Sequence, residues 1–512
     1  MSCSKSSNPV DSGGNGQNFS GAPTRISGSP FPMAKKPDTL FTVQLNNFSD
    51  PEKIIIQSLQ GILAQTKPRI YCVIDGSDTY STFLADLQKS YGVTVINTYR
   101  SDLKGLLTHF KNEVSGYLLT NVTAPSIHVA ISLSGIKKAV VVPKSYEDVA
   151  KSAGLSLVED VSGQTYQQFF DKYSADANKN IVCYQVADKA TFLTDYAAYT
   201  KSFFFYDSFS GSMTTQVFSR MNPNAELFGW GSDEYQLVQT ASQKSIIVNA
   251  ADFAQNLSVL SNFGVETKQA KYVTDPEVKE NVHTVCFLMT DGDNIQWMLG
   301  DFSKSTKWYG SPNRGKVNIG WTVCPAMCEL APTVLKRFYD GAAKNDNGRD
   351  YFVAGPSGLG YIFPELYGDI TTFAQRTNEY MKQADLHIVN LLGNAMNANY
   401  ITPFMQQDQI DAAFYYYYSD YSGGKGQITW VNNKPVITGR MNFWGETPES
   451  MAEKLNILST DITSSKGYSL IPVHVWSVSV DDVIQCVSLL NKNVRVVTPD
   501  EFVALIKKNV KH

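Results

Sequence analysis

Two aspartates stand two residues apart in Thr290-Asp291-Gly292-Asp293-Asn294, directly after the apolar run 284–289. Paired carboxyl groups can divide acid and base work when their surroundings push their pKa values apart. At a glycosidic bond, one carboxyl protonates the leaving oxygen while the other attacks the sugar or activates water. Asp291 and Asp293 are therefore the first candidates for chemistry. The competing role for Asp293 or Asn294 is to cap a helix begun by Ile295-Gln296-Trp297. With His474, the two acids could instead hold a divalent cation, calcium or magnesium on oxygen ligands, zinc or iron if the imidazole joins. No HxxxH pair accompanies them, so no cofactor is expected.

Such residues need a scaffold that brings distant segments to one place. From Val282 onward, eight short apolar runs alternate with segments long enough for helices. Eight such repeats over roughly 230 residues predict a (β/α)8 TIM-like barrel at 276–512, with its site at the C-terminal ends of the strands. One local exception is expected, a hairpin through Asn432-Asn433. The rim then collects Asp420, Glu365 and Glu446 as candidates for the partner carboxylate. Asp420 leads, because it would lie across the barrel from the first strand. Asn294, Trp297, Trp321, Tyr361, Asn390, Arg440, His474 and Trp476 would bind substrate: amides, guanidinium and imidazole on hydroxyls, aromatic rings on the C–H face of a sugar.

Ahead of the barrel, residues 37–275 alternate apolar strands with amphipathic helices. This pattern predicts a doubly wound parallel α/β region of one or two subdomains. No GxGxxG follows its first strand, so a dinucleotide has no support. Within it, Phe228-Gly229-Trp230-Gly231-Ser232-Asp233-Glu234 places Trp230 and Glu234 after a strand, where they could reach an interdomain cleft.

The first thirty-six residues are rich in Ser, Gly, Asn and Pro and read as a disordered tether. Cys3 near its start resembles the acylated end of a bacterial lipoprotein, which would make a lipid at Cys3 the only membrane attachment. The other cysteines sit in apolar runs and read as free core thiols, apart from Cys324 and Cys328, which are close enough in sequence to pair. Of 512 residues, 44 are Lys or Arg and 48 Asp or Glu, for a net charge of -4. That balance argues against a nucleic-acid partner.

The loop Gly358-Leu359-Gly360-Tyr361-Ile362-Phe363-Pro364 resembles the signature of the GxGYxYP glycoside hydrolases. Phe363 replaces the second Tyr of that signature. The MTDGDN segment, Gly320-Trp321-Thr322, the VHVW near the end, SLQGILAQ and FGWGSDE are also similar to that family. The resemblance spans nearly the whole chain after the tether. It implies an exported protein of a glycan-degrading Gram-negative bacterium, held in the cell envelope and acting on an oligo- or polysaccharide. It supplies no catalytic residue. The sequence thus leads to a glycoside hydrolase. The alternatives are a metal-dependent carbohydrate esterase or deacetylase, with Asp291, Asp293 and His474 as ligands, and a non-catalytic glycan-binding surface lipoprotein.

Overall fold

The computed structural model describes residues 25–511 apart from 75–77, 272 and 274. Cys3 and its proposed lipid lie outside the described residues. Ten strands precede the C-terminal sheet: β1 (Thr39–Gln44), β2 (Ile70–Val73), β3 (Thr94–Tyr99), β4 (Gly116–Thr120), β5 (Ala139–Pro143), β6 (Leu157–Asp160), β7 (Ile181–Tyr184), β8 (Phe203–Phe205), β9 (Ala225–Gly229) and β10 (Ile246–Ala250). They form three parallel sheets, ordered β2-β1-β3, β5-β4-β6 and β10-β9-β7-β8, where one or two units were expected. In each, the first strand in the chain lies inside the sheet and later strands add on both sides. The predicted parallel α/β character is therefore met three times over. The helix Asp50–Ala64 is buried from Ile54 to its end.

The C-terminal strands are β11 (His283–Met289), β12 (Ile319–Val323), β13 (Lys344–Asn345), β14 (Gly348–Ala354), β15 (Ile388–Gly393), β16 (Ala412–Tyr417), β17 (Ile428–Val431), β18 (Lys434–Thr438), β19 (Tyr468–Val473) and β20 (Val494–Val496). The main path of this mixed sheet runs β17-β18-β16-β15-β14-β12-β11-β19. The eight-strand closure expected from the sequence is not formed. β19 pairs directly with β11 over Thr284–Met289, so the last strand cannot enter between them. That last strand, β20, meets only the start of β11. Between β18 and β19 no ladder forms, only single bridges at Gly439–Leu470 and Phe443–Val473. The expected hairpin is present: β17 runs antiparallel to β18. Asn432 and Asn433 turn it with φ of 52° and 58°, the left-handed pair that suits a tight two-residue turn. This hairpin takes the place of the helix expected between β16 and β18.

The tether expected through residue 36 ends earlier. Arg25 donates to the carbonyls of Glu329 and Pro32 at 2.8 Å and of Ser261 at 2.6 Å. Glu329, itself buried, accepts from the Ile26 amide, the Ser29 hydroxyl and the Tyr380 hydroxyl. Phe31 is buried between the rings of Phe228 and Tyr380. Polar composition did not prevent docking, because one buried carboxylate collects the donors of the segment. Phe31→Ala should cost about 3 kcal/mol, read as a lowered midpoint in chemical denaturation.

All six described cysteines are buried free thiols, including Cys324 and Cys328, and burial pushes each thiol up. Among the described residues, no helix is long and apolar enough to cross a membrane.

Candidate active site

β11 is buried along its whole length, as the uninterrupted apolar run requires of a strand covered on both faces. It ends in a tight turn. The Thr290 amide donates to the Val473 carbonyl at 3.0 Å, which fixes the strand end against β19. Asp291 then takes φ of 68°, a region uncommon for residues other than Gly and Asn. Gly292 passes so close to β12 that a Cβ there would lie 1.8 Å from the Thr322 carbonyl oxygen. Its amide donates to Thr322 Oγ1 at 2.8 Å. The helix Ile295–Leu299 starts after Asn294 without a side-chain cap. Capping therefore does not account for either acid.

Asp291 and Asp293 face a cavity of about 220 Å³. Of the residues singled out from sequence, Trp230, Glu234, Asn294, Tyr361, Asn390 and Trp476 also line it. Glu234 comes from the first turn of the helix Glu234–Ser242, whose N-cap is Asp233. That helix belongs to the third sheet, so one carboxylate reaches the C-terminal site from another part of the chain. The signature loop makes the connection. Tyr361 forms a bridge to Val248 of β10, with N–O distances of 2.9 and 3.1 Å. A Cβ on Gly360 would lie 2.5 Å from Ile247 Cγ2, so glycine permits this approach. The Tyr361 hydroxyl donates to Glu234 Oε1 at 2.8 Å, and its ring stacks with Trp230. Phe363, where the signature has tyrosine, is fully buried against Tyr235 and Tyr418.

The three carboxyls differ in surroundings. Asp293 is 7% exposed, and burial first, then the charges of Asp291 and Glu234, hold it well above the usual carboxylate range. Asp291 is also raised by burial, but it accepts from the Thr290 hydroxyl and from Trp476 Nε1 at 3.0 Å. Those donors and nearby His474 favour its anion. Glu234 keeps an exposed edge, yet the surrounding protein raises its carboxyl too, opposed by the Tyr361 hydroxyl. The arrangement raises Asp293 most strongly and gives Asp291 donors that favour its anion, and surroundings that push two carboxyls apart are what acid–base chemistry needs.

A stability consequence follows. A carboxyl raised on folding binds more protons folded than unfolded, so it costs stability as pH rises from its unfolded value to its folded one. Asp293→Asn should therefore raise the melting temperature at pH 8. The gain should vanish near pH 3, where both states are protonated. Melting curves at the two pH values check this.

Other expected site residues are placed elsewhere. Asp420 is exposed and accepts from Ser422 and Asn442, bonds that lower its pKa. Glu365 Oε1 accepts from the backbone and side chain of Asn394 at 2.8 and 2.7 Å, tying down a loop. Glu446 pairs with Lys454 and Ser450 of the helix Pro448–Asn456 that follows it. Arg440 is turned onto the carbonyls of Gly426, Ser465 and Tyr468. Trp321 is fully buried, with Nε1 donating to Asp350 at 2.8 Å. Trp297 is buried behind Trp476, with rings 5.3 Å apart. His474 lies beside the cavity, stacked on Trp444 at 3.6 Å, with Nδ1 2.9 Å from Ser477 Oγ. Among the described residues, no three His, Cys, Asp or Glu side chains group so as to hold a metal ion. The set Asp291, Asp293 and His474 expected for one is thus not assembled.

Sequence reasoning passed over Gln296, Tyr416 and Tyr421, which also line the cavity. Tyr416 carried a signal. In a strand, alternate side chains share a face, so a run of four tyrosines at 415–418 must present some to each side.

Family models match four consecutive parts of the chain. They are described as GxGYxYP_N 1st domain (residues 39–112), GxGYxYP_N second domain (114–176), GxGYxYP third domain (178–262) and GxGYxYP putative glycoside hydrolase C-terminal domain (281–507). A comparison with curated proteins finds no match. Among solved structures, the chain is similar to a crystal structure of "a putative hydrolase from Bacteroides thetaiotaomicron VPI-5482". The TM-score is 0.86 at 30% identity, over 93% of this chain and 96% of that one. With these four models matching most of its length in succession, the chain belongs to the GxGYxYP family.

Proposed function

We propose that the protein is a glycoside hydrolase in which Asp293 donates the proton and Asp291 acts as the anionic partner. Burial raises the Asp293 carboxyl most, and the charges of Asp291 and Glu234 add to it. One observation carries this reading: three carboxyls share a small cavity, in which burial and the charges of the other two raise Asp293 well above the usual carboxylate range. The description of the matched C-terminal domain and of the similar crystal structure supports it as well. Sugar as substrate is supported by the indoles at the mouth, with Trp476 45% and Trp444 42% exposed. Indole rings stack on the C–H faces of sugars, with an apolar body and a polar N–H. We read the C-terminal sheet as a seven-stranded parallel barrel with an open seam between β18 and β19. The cavity lies where that reading puts a site, beyond the C-terminal ends of the strands.

In the reaction, Asp293 Oδ–H protonates the glycosidic oxygen as the C–O bond breaks. Asp291 attacks the anomeric carbon or takes a proton from water. Protonation of the leaving oxygen and stabilisation of the developing positive charge are the two needs of an oxocarbenium-like transition state. The test is release of new reducing ends from a panel of plant, host and microbial glycans, with and without chelator. The wild type should release them, insensitive to chelator, and Asp291→Asn should not. Loss in chelator with recovery on adding one metal would replace this reading by the metal-dependent esterase or deacetylase.

A further inference from the structure

The cavity that carries the proposed chemistry also limits what can enter it. Its volume is about 220 Å³, below the roughly 300–1,000 Å³ of sites for drug-sized ligands. That is room for one sugar ring. Among the described residues, its lining holds Asp291, Asp293 and Glu234 and no lysine, arginine or histidine. Three polar atoms of lining residues are buried without a partner: Asn390 Oδ1, Asn294 Oδ1 and the Tyr416 hydroxyl. Asn390 and Tyr416 are 0% and 1% exposed. The orientation of Asn390 is set, because its Nδ2 donates to the Phe414 carbonyl at 3.2 Å. Buried polar atoms without partners call for a ligand that satisfies them. The two amide oxygens and the ionised carboxylates accept hydrogen bonds and the Tyr416 hydroxyl can donate or accept, so most of the lining calls for a ligand that donates. Hydroxyl and ammonium groups donate, whereas a carboxylate or sulfate would add acceptors and like charge.

Beyond the cavity, the aromatic wall continues outward. Tyr421 lines the cavity, and Trp444 packs edge-on against it at 5.3 Å. His474 backs the Trp444 ring in parallel, 9° from coplanar. Trp444 is thereby fixed in orientation, stays 42% exposed and is outside the cavity lining.

We propose that the cavity takes a single terminal pyranose bearing hydroxyl or amino groups and no acidic group, and that Trp444 seats the sugar that follows. This rests on the glycoside hydrolase reading and gives it an exo-acting mode: one sugar is released per event from a chain end.

The full chain carrying Asp293→Asn, an amide of the same shape, serves for binding. The probes are neutral hexoses, an N-acetylhexosamine, glucosamine, glucuronic acid and a sulfated hexose, followed by ligand-observed NMR. Neutral or amino sugars should bind, and the acidic ones at least about tenfold more weakly. In the same background, Trp444→Ala should weaken an oligosaccharide of the bound sugar about tenfold and leave the monosaccharide within about twofold. Equal or tighter binding of glucuronic acid, failure of every monosaccharide to bind, or an equal Trp444→Ala effect on both ligands overturns the proposal. Turnover separates the two claims. Mid-chain cleavage products would overturn the exo mode and leave a hydrolase. A bound oligosaccharide with no turnover by wild type would overturn the hydrolase and leave the binding specificity.

Discussion

Asp293→Asn and Asp291→Asn should each lower kcat on a cleaved glycan by about 10²–10⁴-fold, the usual contribution of a positioned acid or base. The two losses should combine far less than multiplicatively, because groups acting in one transition state fail as a unit. The fold should survive both changes. Burial and its two charged neighbours already disfavour the charged form of Asp293, and an amide keeps its shape. Glu234→Gln gives the diagnostic readout. Removing the Glu234 charge takes away one of the influences that raise Asp293. Asp293 is useful only while protonated, so the alkaline limb of the kcat/KM profile should move to lower pH. A profile that stays in place while kcat falls would mean that Glu234 acts on substrate directly.

Gly292→Ala should be the most damaging single methyl group near the site. Its Cβ would meet the Thr322 carbonyl oxygen at 1.8 Å and the carbonyl carbon at 2.0 Å, both backbone atoms of β12 that cannot rotate away. Either β12 moves, or the turn that carries Asp291 and Asp293 moves. Overpacking of this kind costs about 3 kcal/mol, and displacement of a reacting group by about 1 Å can cost 10²-fold in rate. Denaturation and turnover measured on one preparation would check both. Full activity at unchanged stability would show that the turn has freedom that its contacts deny.

Much of the fold was legible in local pattern. The capping of Thr79–Tyr91 by Asp78 and its stop at Gly92, with φ of 71°, follow from residue type alone. So does the Asn432-Asn433 hairpin. The Asp291–Asp293 pair was legible because an apolar strand leaves acids at its end without a place in the core. The candidate carboxylates that lie outside the cavity share one physical reason. Asp420, Glu365 and Glu446 were placed by strand order around a barrel, yet each found nearer partners: Ser422 and Asn442, Asn394, and Lys454. A rim carboxylate with local donors is held by them and does not turn inward. Trp321 and Arg440 likewise belong to packing and to backbone carbonyls, which strand position does not reveal.

The sequence by itself determined the elements, the parallel pairing style and the turn that presents two acids, because periodicity, caps and turn chemistry act over a few residues. Only the tertiary structure decided that β19 closes on β11 and leaves β20 aside, since pairing of distant strands is settled by competition among edges far apart in the chain. It also decided the third carboxylate. Glu234 enters the site because Tyr361 bridges to β10 and donates to it. That contact, 127 residues apart in the chain, depends on how two separately formed sheets dock, and no local pattern encodes it.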